Sequence, residues 1–576
     1  MPSCRSDHGR ALAAAILALA LLTPLAARAQ VGPPVRLLPT PPGAGPAVPA
    51  PPSAPNPMPA GATDESIRST TLAPVDSAWI GALEAGANAL PDSLWQGTPR
   101  SFVAAALPQL QPTTSPILQQ LAHRLLLSNA IAPAGDDPPD RPGLAALRVD
   151  RLIALGDIDG ALGVLEALPA QTRTDALDEQ RAELYFAKND VEGGCRRIQE
   201  GISRYQTVWW QRALIACQAL AGKQDEASLG LSLLREQKAP PDRVFDELIA
   251  ATEGHAARIT SLPAPSPILV TLLAAAKLPL PPEAAATADL PTLLAWAGNA
   301  SVPPLQRLAA AERATALGAM SPAALGDLYA KVEFKPDELG AAIRQAKSPA
   351  TPRERALLYH VASTDPASAV RATALKALLA EAAKRGDYFA TARLVAPILA
   401  QLPASGDLGP FAPEAVRALY AGGRPDAAAP WLVYADPAQV PLLLALPQLA
   451  SPNSDAKPLH DAVAAAAGRN PALARLLLSL MQALGLEVTP SDWAPLIAPP
   501  QDGTLPGAAL WLDQQQAAAG KRLGETVLAT LILARAGDHL STEPIVVAEA
   551  VSGLKSVGLE PEAHALAVEA AIAAGL

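Results

Sequence analysis

Apolar side chains recur every three to four residues along most of the chain from Asp92 to Leu576, which is the spacing of one buried face of an α-helix. Between residues 144 and 236 this pattern predicts three pairs of helices, and the two helices of each pair are joined by only a few residues. Connections this short make the paired helices antiparallel. The predicted helices are Leu144–Leu155, Ile158–Leu168, Asp175–Lys188, Val191–Tyr205, Val208–Ala221 and Asp225–Glu236. Upstream of them, the same pattern predicts a first pair of helices, from Asp92 to Leu110 and from Ser115 to Ala130.

A short sequence phrase repeats at the turn inside each of these helical hairpins. Gly156, Asn189 and Gly222 lie 33 residues apart, and each is followed five positions later by a small residue. A unit copied at a fixed interval is typical of stacked repeats, in which each copy buries its apolar face against the next one. We therefore predict an all-α fold, an α-solenoid of antiparallel helical hairpins. The small residues are Ala161, Gly194 and Ala227.

Weaker copies of the phrase follow Gly386, Gly422 and Gly558. Between the two sets, prolines divide the chain into short helical stretches. We predict N-terminal helical repeats over 76–262, an irregular short-helix region over 263–346, and C-terminal helical repeats over 347–576. The irregular region is expected either to kink the solenoid or to mark the meeting of two lobes.

The N-terminus has the pattern of a secretory signal. Arg5 and Arg10 precede an apolar run from Ala11 to Leu22, and the small-residue sequence Ala27-Arg28-Ala29 follows. A run of this length is shorter than the roughly 20 apolar residues that span a bilayer, although an uncleaved anchor stays open as an alternative. We predict a signal peptide over 1–29, export to the periplasm, and no stable membrane insertion after cleavage.

Residues 30–75 are rich in proline and alanine, with 12 prolines between positions 31 and 60. Proline fixes φ and removes backbone donors, so this composition predicts an extended, disordered linker.

Composition and charge narrow the class of partner. Half of the residues are apolar, only 4% are aromatic, and the formal net charge is −10. Few aromatic and many small apolar residues favour closely packed helices over sheets. An acidic chain without a cluster of Lys and Arg has no electrostatic footprint for nucleic acid or for anionic lipid surfaces.

The three in-register hairpins resemble tetratricopeptide repeats. When Asn189 is aligned with the turn between the two helices of that family's unit, five residues match the family's small, aromatic, small, bulky and small positions. The resemblance covers roughly Leu144 to Gln237. It implies a right-handed superhelix whose concave face binds peptides or protein segments. The matching residues are Ala182, Tyr185, Gly194, Ile198 and Gly201.

Cys195 and Cys217 are the cysteines that remain after the predicted cleavage. Export would place them in a compartment where thiols become oxidised. In the repeat alignment they lie on the second helix of one unit and the first helix of the next, which pack together. We predict a disulfide, with two reduced buried thiols or a redox or metal pair as alternatives.

Trp209 and Trp210 are the most distinctive aromatic pair in the chain. Adjacent helical residues point about 100° apart, so one ring can enter the core while the other stays near the surface. One hypothesis makes them an aromatic partner-binding surface, because Trp is enriched at binding hot spots. Tyr205, Arg204 and Arg212 would complete that surface. The alternative gives both rings a packing role at the hairpin interface.

Catalytic, cofactor-binding and metal-binding motifs are not apparent, and we predict none of these sites. Ser479-Leu480-Met481-Gln482 resembles a segment of lytic transglycosylases, but it lacks that family's Gly and the upstream Glu-Ser pair. The expected function is a non-enzymatic periplasmic scaffold or adaptor, in envelope or cell-wall assembly, that binds a protein or peptide on the concave face. The alternative is a peptidoglycan- or glycan-acting enzyme, or its helical-superhelix regulatory subunit.

Overall fold

Helices make up nearly all of the secondary structure in the computed structural model, which describes residues 76, 78–83, 86, 88–137, 142–169, 172–345, 349–497 and 507–576. The predicted signal peptide 1–29 and linker 30–75 lie outside the described residues. The α-helices are α1 (Arg100–Ala106), α2 (Pro116–Leu127), α3 (Leu144–Ala154), α4 (Ile158–Ala167), α5 (Asp175–Ala187), α6 (Val191–Ile202), α7 (Val208–Leu220), α8 (Gln224–Glu236), α9 (Arg243–Thr252), α10 (Pro267–Ala275), α11 (Pro282–Thr287), α12 (Leu290–Gly298), α13 (Pro304–Ala316), α14 (Pro322–Ala330), α15 (Pro336–Gln345), α16 (Pro352–Thr364), α17 (Ser368–Arg385), α18 (Tyr388–Leu399), α19 (Ala412–Ala421), α20 (Ala429–Leu432), α21 (Val440–Leu443), α22 (Ala445–Ala450), α23 (Ala456–Ala467), α24 (Pro471–Leu484), α25 (Pro490–Trp493), α26 (Ala508–Ala519), α27 (Leu523–Leu533), α28 (Pro544–Ser556) and α29 (Glu560–Ala573).

Short 3₁₀ helices and one small hairpin complete the described structure. The strands β1 (Arg535–Ala536) and β2 (His539–Leu540) pair antiparallel between α27 and α28. Successive helices pack against each other along the chain, so the predicted all-α solenoid is confirmed. The 3₁₀ helices are Leu107–Gln109, Gly406–Phe411, Pro425–Ala427 and Ala494–Leu496.

The repeated turn phrase has a conformational cause. Gly156, Asn189 and Gly222 adopt φ angles of 74°, 61° and 73°, the left-handed region that favours glycine and, next to it, asparagine. The aspartate that follows two of these turns then caps the next helix. Asp157 accepts from the backbone N–H of Gly160 at 2.9 Å, and Asp190 accepts from Gly193 at 2.8 Å. These turns are the reason that each hairpin reverses within three residues.

The small residues five positions later bring the paired helices close together. Ala161 and Ala227 are fully buried. At Gly194, an added Cβ would lie 2.5 Å from the ring of Phe186 on α5. A larger side chain at these positions would therefore push the hairpin apart.

The first predicted helix is shorter than the apolar pattern suggested. The pattern predicted helix from Asp92 to Leu110, whereas α1 begins at Arg100 and residues 92–97 form turns. Pro99 lacks a backbone N–H and disfavours helical backbone at the residue before it. Pro99 therefore precedes the start of α1 and prevents a helix from continuing through it from residues 92–98.

Proline also starts the helices of the irregular region, as predicted. Proline occupies the first turn of each helix from α10 to α15. It is the first residue of these helices, except in α12, where it is the second residue after Leu290. A capping box forms at the start of α16, with the Thr351 N–H donating to Glu354 at 2.8 Å and the Glu354 N–H donating to Thr351 Oγ1 at 3.3 Å.

The irregular region folds back onto the repeats. Helices α10 and α12 both pack against α5, and they extend to α7 and α3 respectively. Helices α3, α5 and α7 are the first helices of the three hairpins. Part of the surface of these first helices is therefore covered by this chain's own helices.

The two ends of the described helical region also meet. Helix α2 packs against α27 and α29, and α1 contacts α27. One continuous core extends from Ala78 to Leu576. No helix among the described residues combines the length and apolar character needed to cross a membrane.

Candidate binding sites

Cys195 and Cys217 form a disulfide between α6 and α7. Their Cα atoms lie 5.6 Å apart, within the range that a disulfide requires. Cys217 is buried, whereas Cys195 is partly exposed. The bond thus joins the second helix of one hairpin to the first helix of the next, as the repeat alignment predicted.

The disulfide forms part of an open groove between α6 and α7, which we call the repeat groove. It has a volume of about 600 Å³. The half-buried side chains of Val191, Leu214 and Leu220 supply its apolar surface. Because the covalent bond fixes the two helices, the width of the groove does not depend on side-chain packing alone.

Charged residues of both signs line the rim of the repeat groove. Arg196 lies 3.7 Å from Glu192 on α6, and Lys223 lies 3.2 Å from Glu226 at the start of α8. All four side chains are more than half exposed. Exposed pairs of this kind contribute little to folding stability, so these groups can exchange partners at small cost.

The predicted aromatic residues do come together, but outside the repeat groove. Trp210 is 1% exposed, and its indole Nε1 donates to Asp175 at 2.6 Å. Tyr205 stacks on Trp210 at 5.5 Å, and Trp209 meets it edge to face at 4.8 Å. Trp209 and Tyr205 remain partly exposed, so the two tryptophans divide between core and rim as the sequence suggested.

The polar atoms beside these rings are occupied by contacts within the α5–α6 hairpin and with the loop that follows the α7–α8 hairpin. Tyr205 donates its hydroxyl to Asp178 at 3.1 Å, and Arg204 lies 3.7 Å from the same carboxylate. Arg212 donates to the carbonyl of Pro240 at 2.5 Å, in the loop before α9. These contacts give Arg204, Tyr205 and Arg212 a structural role, and their partner-binding role stays a hypothesis.

A second and larger opening lies where distant parts of the chain meet, and we call it the junction cleft. Its volume is about 650 Å³. The walls come from the segment before α2, from α17 to α19, from the β1–β2 hairpin, and from the end of α29. Sequence analysis missed this site, because no single segment carries its pattern.

One wall of the junction cleft carries a hydrogen-bonded chain of polar groups. Tyr388 donates its hydroxyl to Glu414 at 2.9 Å, and Arg417 lies 3.6 Å from the other oxygen of that carboxylate. Burial, together with the adjacent carboxylate, raises the pKa of Tyr388 well above its ordinary value. Tyr388 is therefore a neutral hydrogen-bond donor at physiological pH.

The β1–β2 hairpin supplies the opposite wall. Thr114 donates its backbone N–H to the carbonyl of Asp538 at 2.7 Å, and its hydroxyl lies 3.0 Å from His539 Nδ1. The His539 ring lies so close to Gly386 that an added Cβ there would be 2.3 Å away. Gly386 also has a φ of 80°. A glycine is thus required both by the turn and by the ring packed on it.

The described residues show no group of three or more His, Cys, Asp or Glu side chains placed to hold a metal ion. No protein-family model, no curated protein and no solved structure matches this chain.

Proposed function

We propose that this protein is a non-enzymatic periplasmic scaffold or adaptor that binds a segment of a protein partner in envelope or cell-wall assembly. The observation that carries the proposal is the repeat groove, an open channel between two adjacent repeat helices with an apolar surface and a charged rim. A fixed groove of this composition suits an extended or helical peptide, whose apolar side chains would cover Leu214 while its charges meet the rim.

The position of the groove refines the expectation drawn from tetratricopeptide repeats. Helices α10 and α12 already cover part of the first helices of the hairpins. The repeat groove lies on the flank between α6 and α7, and its rim side chains are exposed. We infer that the partner approaches this flank.

Periplasmic location is part of the same proposal. Disulfides form and persist in oxidising compartments. The bond between Cys195 and Cys217 and the signal-like sequence over 1–29 both favour export.

Photo-crosslinking in the intact cell envelope tests the proposal. A photoreactive residue in place of the exposed Gln199, which lines the groove, is expected to capture a specific protein. The same residue in place of Arg243, whose side chain is 91% exposed on α9, is the matched control and should not capture it.

Charge reversal tests whether the rim takes part. The double variant R196E/K223E should weaken the crosslink made from position 199. R243E/K457E is the control, because it changes the net charge by the same amount. Arg243 and Lys457 are also exposed, and each would likewise lose an ion pair with a residue on its own helix. Equal capture by both double variants would count against the groove.

An activity assay tests the non-enzymatic part separately. We expect no release of fragments when the homogeneous protein is incubated with peptidoglycan or its muropeptides. Turnover that survives purification to homogeneity would replace the scaffold proposal with the glycan-acting alternative.

A further inference from the structure

The junction cleft shares no residue with the repeat groove and has a different chemical character. Its volume of about 650 Å³ lies in the range of about 300–1,000 Å³ that is typical of small-molecule sites. We propose that the junction cleft binds a small amphiphile with an apolar chain and one terminal carboxylate.

The floor of the cleft is apolar and comes from elements far apart in the chain. Leu379 on α17 and Phe389 on α18 face Ile572 and Leu576 near the end of α29. All four side chains are buried in the fold, yet they border the open volume. An apolar chain placed there would be removed from water, which favours its binding.

The charged side chains that line the cleft differ in whether they have a partner. Glu414 is engaged by Tyr388 and Arg417, and Arg417 also donates to the main-chain oxygen of Leu576. Lys376 lines the same cleft from an exposed position on α17, and no hydrogen bond or ion pair joins it to another described residue. The ammonium group of Lys376 therefore lies beside the apolar floor without a partner among the described residues.

The position of Lys376 would select ligands by the charge of their polar end. The chain as a whole has a formal net charge of −10, and Lys376 places a positive charge beside the apolar floor. A carboxylate would find a cation in Lys376, while a ligand with a cationic head would meet an uncompensated ammonium. His539 on the opposite wall is an additional polar group within the cleft.

Titration calorimetry with dodecanoate, below its micelle concentration, tests the proposal on the full chain. We expect saturable binding at one site. Dodecanol, which has the same chain without the charge, should bind at least tenfold more weakly, because a hydrogen bond to a charged group is worth about tenfold or more in affinity.

Two variants locate the site without disturbing the core. K376A should weaken dodecanoate binding about tenfold, and K457A is its control, since Lys457 is 80% exposed on α23. A380W should abolish binding, because Ala380 is an exposed helical residue that borders the cleft and the indole would fill it. The matched control is A464W, at an exposed alanine of α23.

A second ligand identifies the source of the carboxylate. N-acetyl-Ala-Leu-Leu with a free carboxyl end represents the end of an apolar peptide, and its amide is the uncharged control. Binding of either carboxylate with the expected response to K376A and A380W supports the proposal and assigns the source. The proposal is overturned if neither carboxylate binds, if the uncharged partners bind equally well, or if A380W leaves binding intact.

Discussion

At the scale of single residues, some buried polar groups have fixed partners within the core. Arg148 on α3 is fully buried, and no carboxylate of a described residue forms an ion pair with it. Its guanidinium donates to the carbonyls of Leu126 at 2.5 Å, Ile80 at 2.6 Å and Ser128 at 3.4 Å, and it lies 4.8 Å from the Trp79 ring. Burial lowers the pKa of Arg148 to about 9.

Replacing Arg148 should therefore be costly. In R148M, several buried carbonyls would lose their donor, at about 1–3 kcal/mol each, so we expect a loss of roughly 3 kcal/mol or more in the free energy of unfolding. Urea denaturation measures this loss. R243M, at an exposed arginine, is the control, and an equal effect of the two substitutions would contradict the assigned role of Arg148.

A second residue-scale prediction concerns Gly201. An added Cβ at this position would lie 2.2 Å from the Trp210 ring, which has no room to move because its Nε1 is held by Asp175. We expect G201A to cost about 1–3 kcal/mol by overpacking. G340A on α15 is the matched control, because nothing lies within 4 Å of its added Cβ. The melting temperature should fall in G201A and rise in G340A, since Ala is favoured over Gly in an open helix position. Thermal unfolding measures both changes.

At the scale of elements, the disulfide joins the second helix of one hairpin to the first helix of the next. Cys195 and Cys217 are separated by 22 residues along the chain. Closing a loop of this size stabilises a fold by about 3 kcal/mol in the chain-entropy model. The groove between α6 and α7 depends on the same bond.

Reduction should therefore lower the melting temperature of the wild-type protein. The double variant C195A/C217A should melt lower than the oxidised wild type and should not respond to a reductant. Calorimetry with and without dithiothreitol checks both statements. A wild-type protein that melts at the same temperature in both conditions would show that the bond contributes nothing.

At the scale of the whole molecule, the same kind of contact joins distant segments at two places. In each, a glutamate carboxylate accepts a hydrogen bond from a backbone N–H at the start of another helix. Helices α2 and α10 both begin at the proline of a Ser-Pro-Ile sequence. The glutamate at each helix start comes from a helix far away in the chain. Glu569 accepts from the Ile117 N–H at 2.9 Å and lies 2.5 Å from Ser115 Oγ. Glu183 accepts from the Ile268 N–H at 3.2 Å. The first contact joins α29 to α2, and the second joins α5 to α10.

Both carboxyl groups make folding stability sensitive to pH. Burial raises the pKa of Glu569 and of Glu183 to about 7. Arg393 lies near Glu569, while Glu179 and Asp289 lie near Glu183. Between the ordinary glutamate value and pH 7, the folded state therefore binds more protons than the unfolded state, and the free energy of unfolding falls as the pH rises.

Glutamine at either position should flatten this dependence. We expect E569Q and E183Q each to reduce the decline in the free energy of unfolding between about pH 4.5 and 7, because an amide cannot ionise. Urea denaturation across this range measures the decline. Variants that follow the wild-type profile would show that these carboxyl groups do not titrate with raised pKa values.

The sequence by itself determined the local features of this protein. The left-handed turns at Gly156, Asn189 and Gly222 and the proline at helix starts depend on backbone conformation, which a few neighbouring residues specify. The pairing of Cys195 with Cys217 followed from the repeat register. The bounds of α3 to α8 followed from apolar spacing to within one residue, except that α6 ends at Ile202 and not at Tyr205.

Only the tertiary structure decided where these helices pack and which surfaces stay open. The covering of α5 by α10 and α12, the contact of Glu569 with the start of α2, and the junction cleft all join segments far apart in the chain. Such contacts depend on how whole side-chain surfaces fit together in space, and apolar spacing shows which face of a helix is buried without showing what buries it.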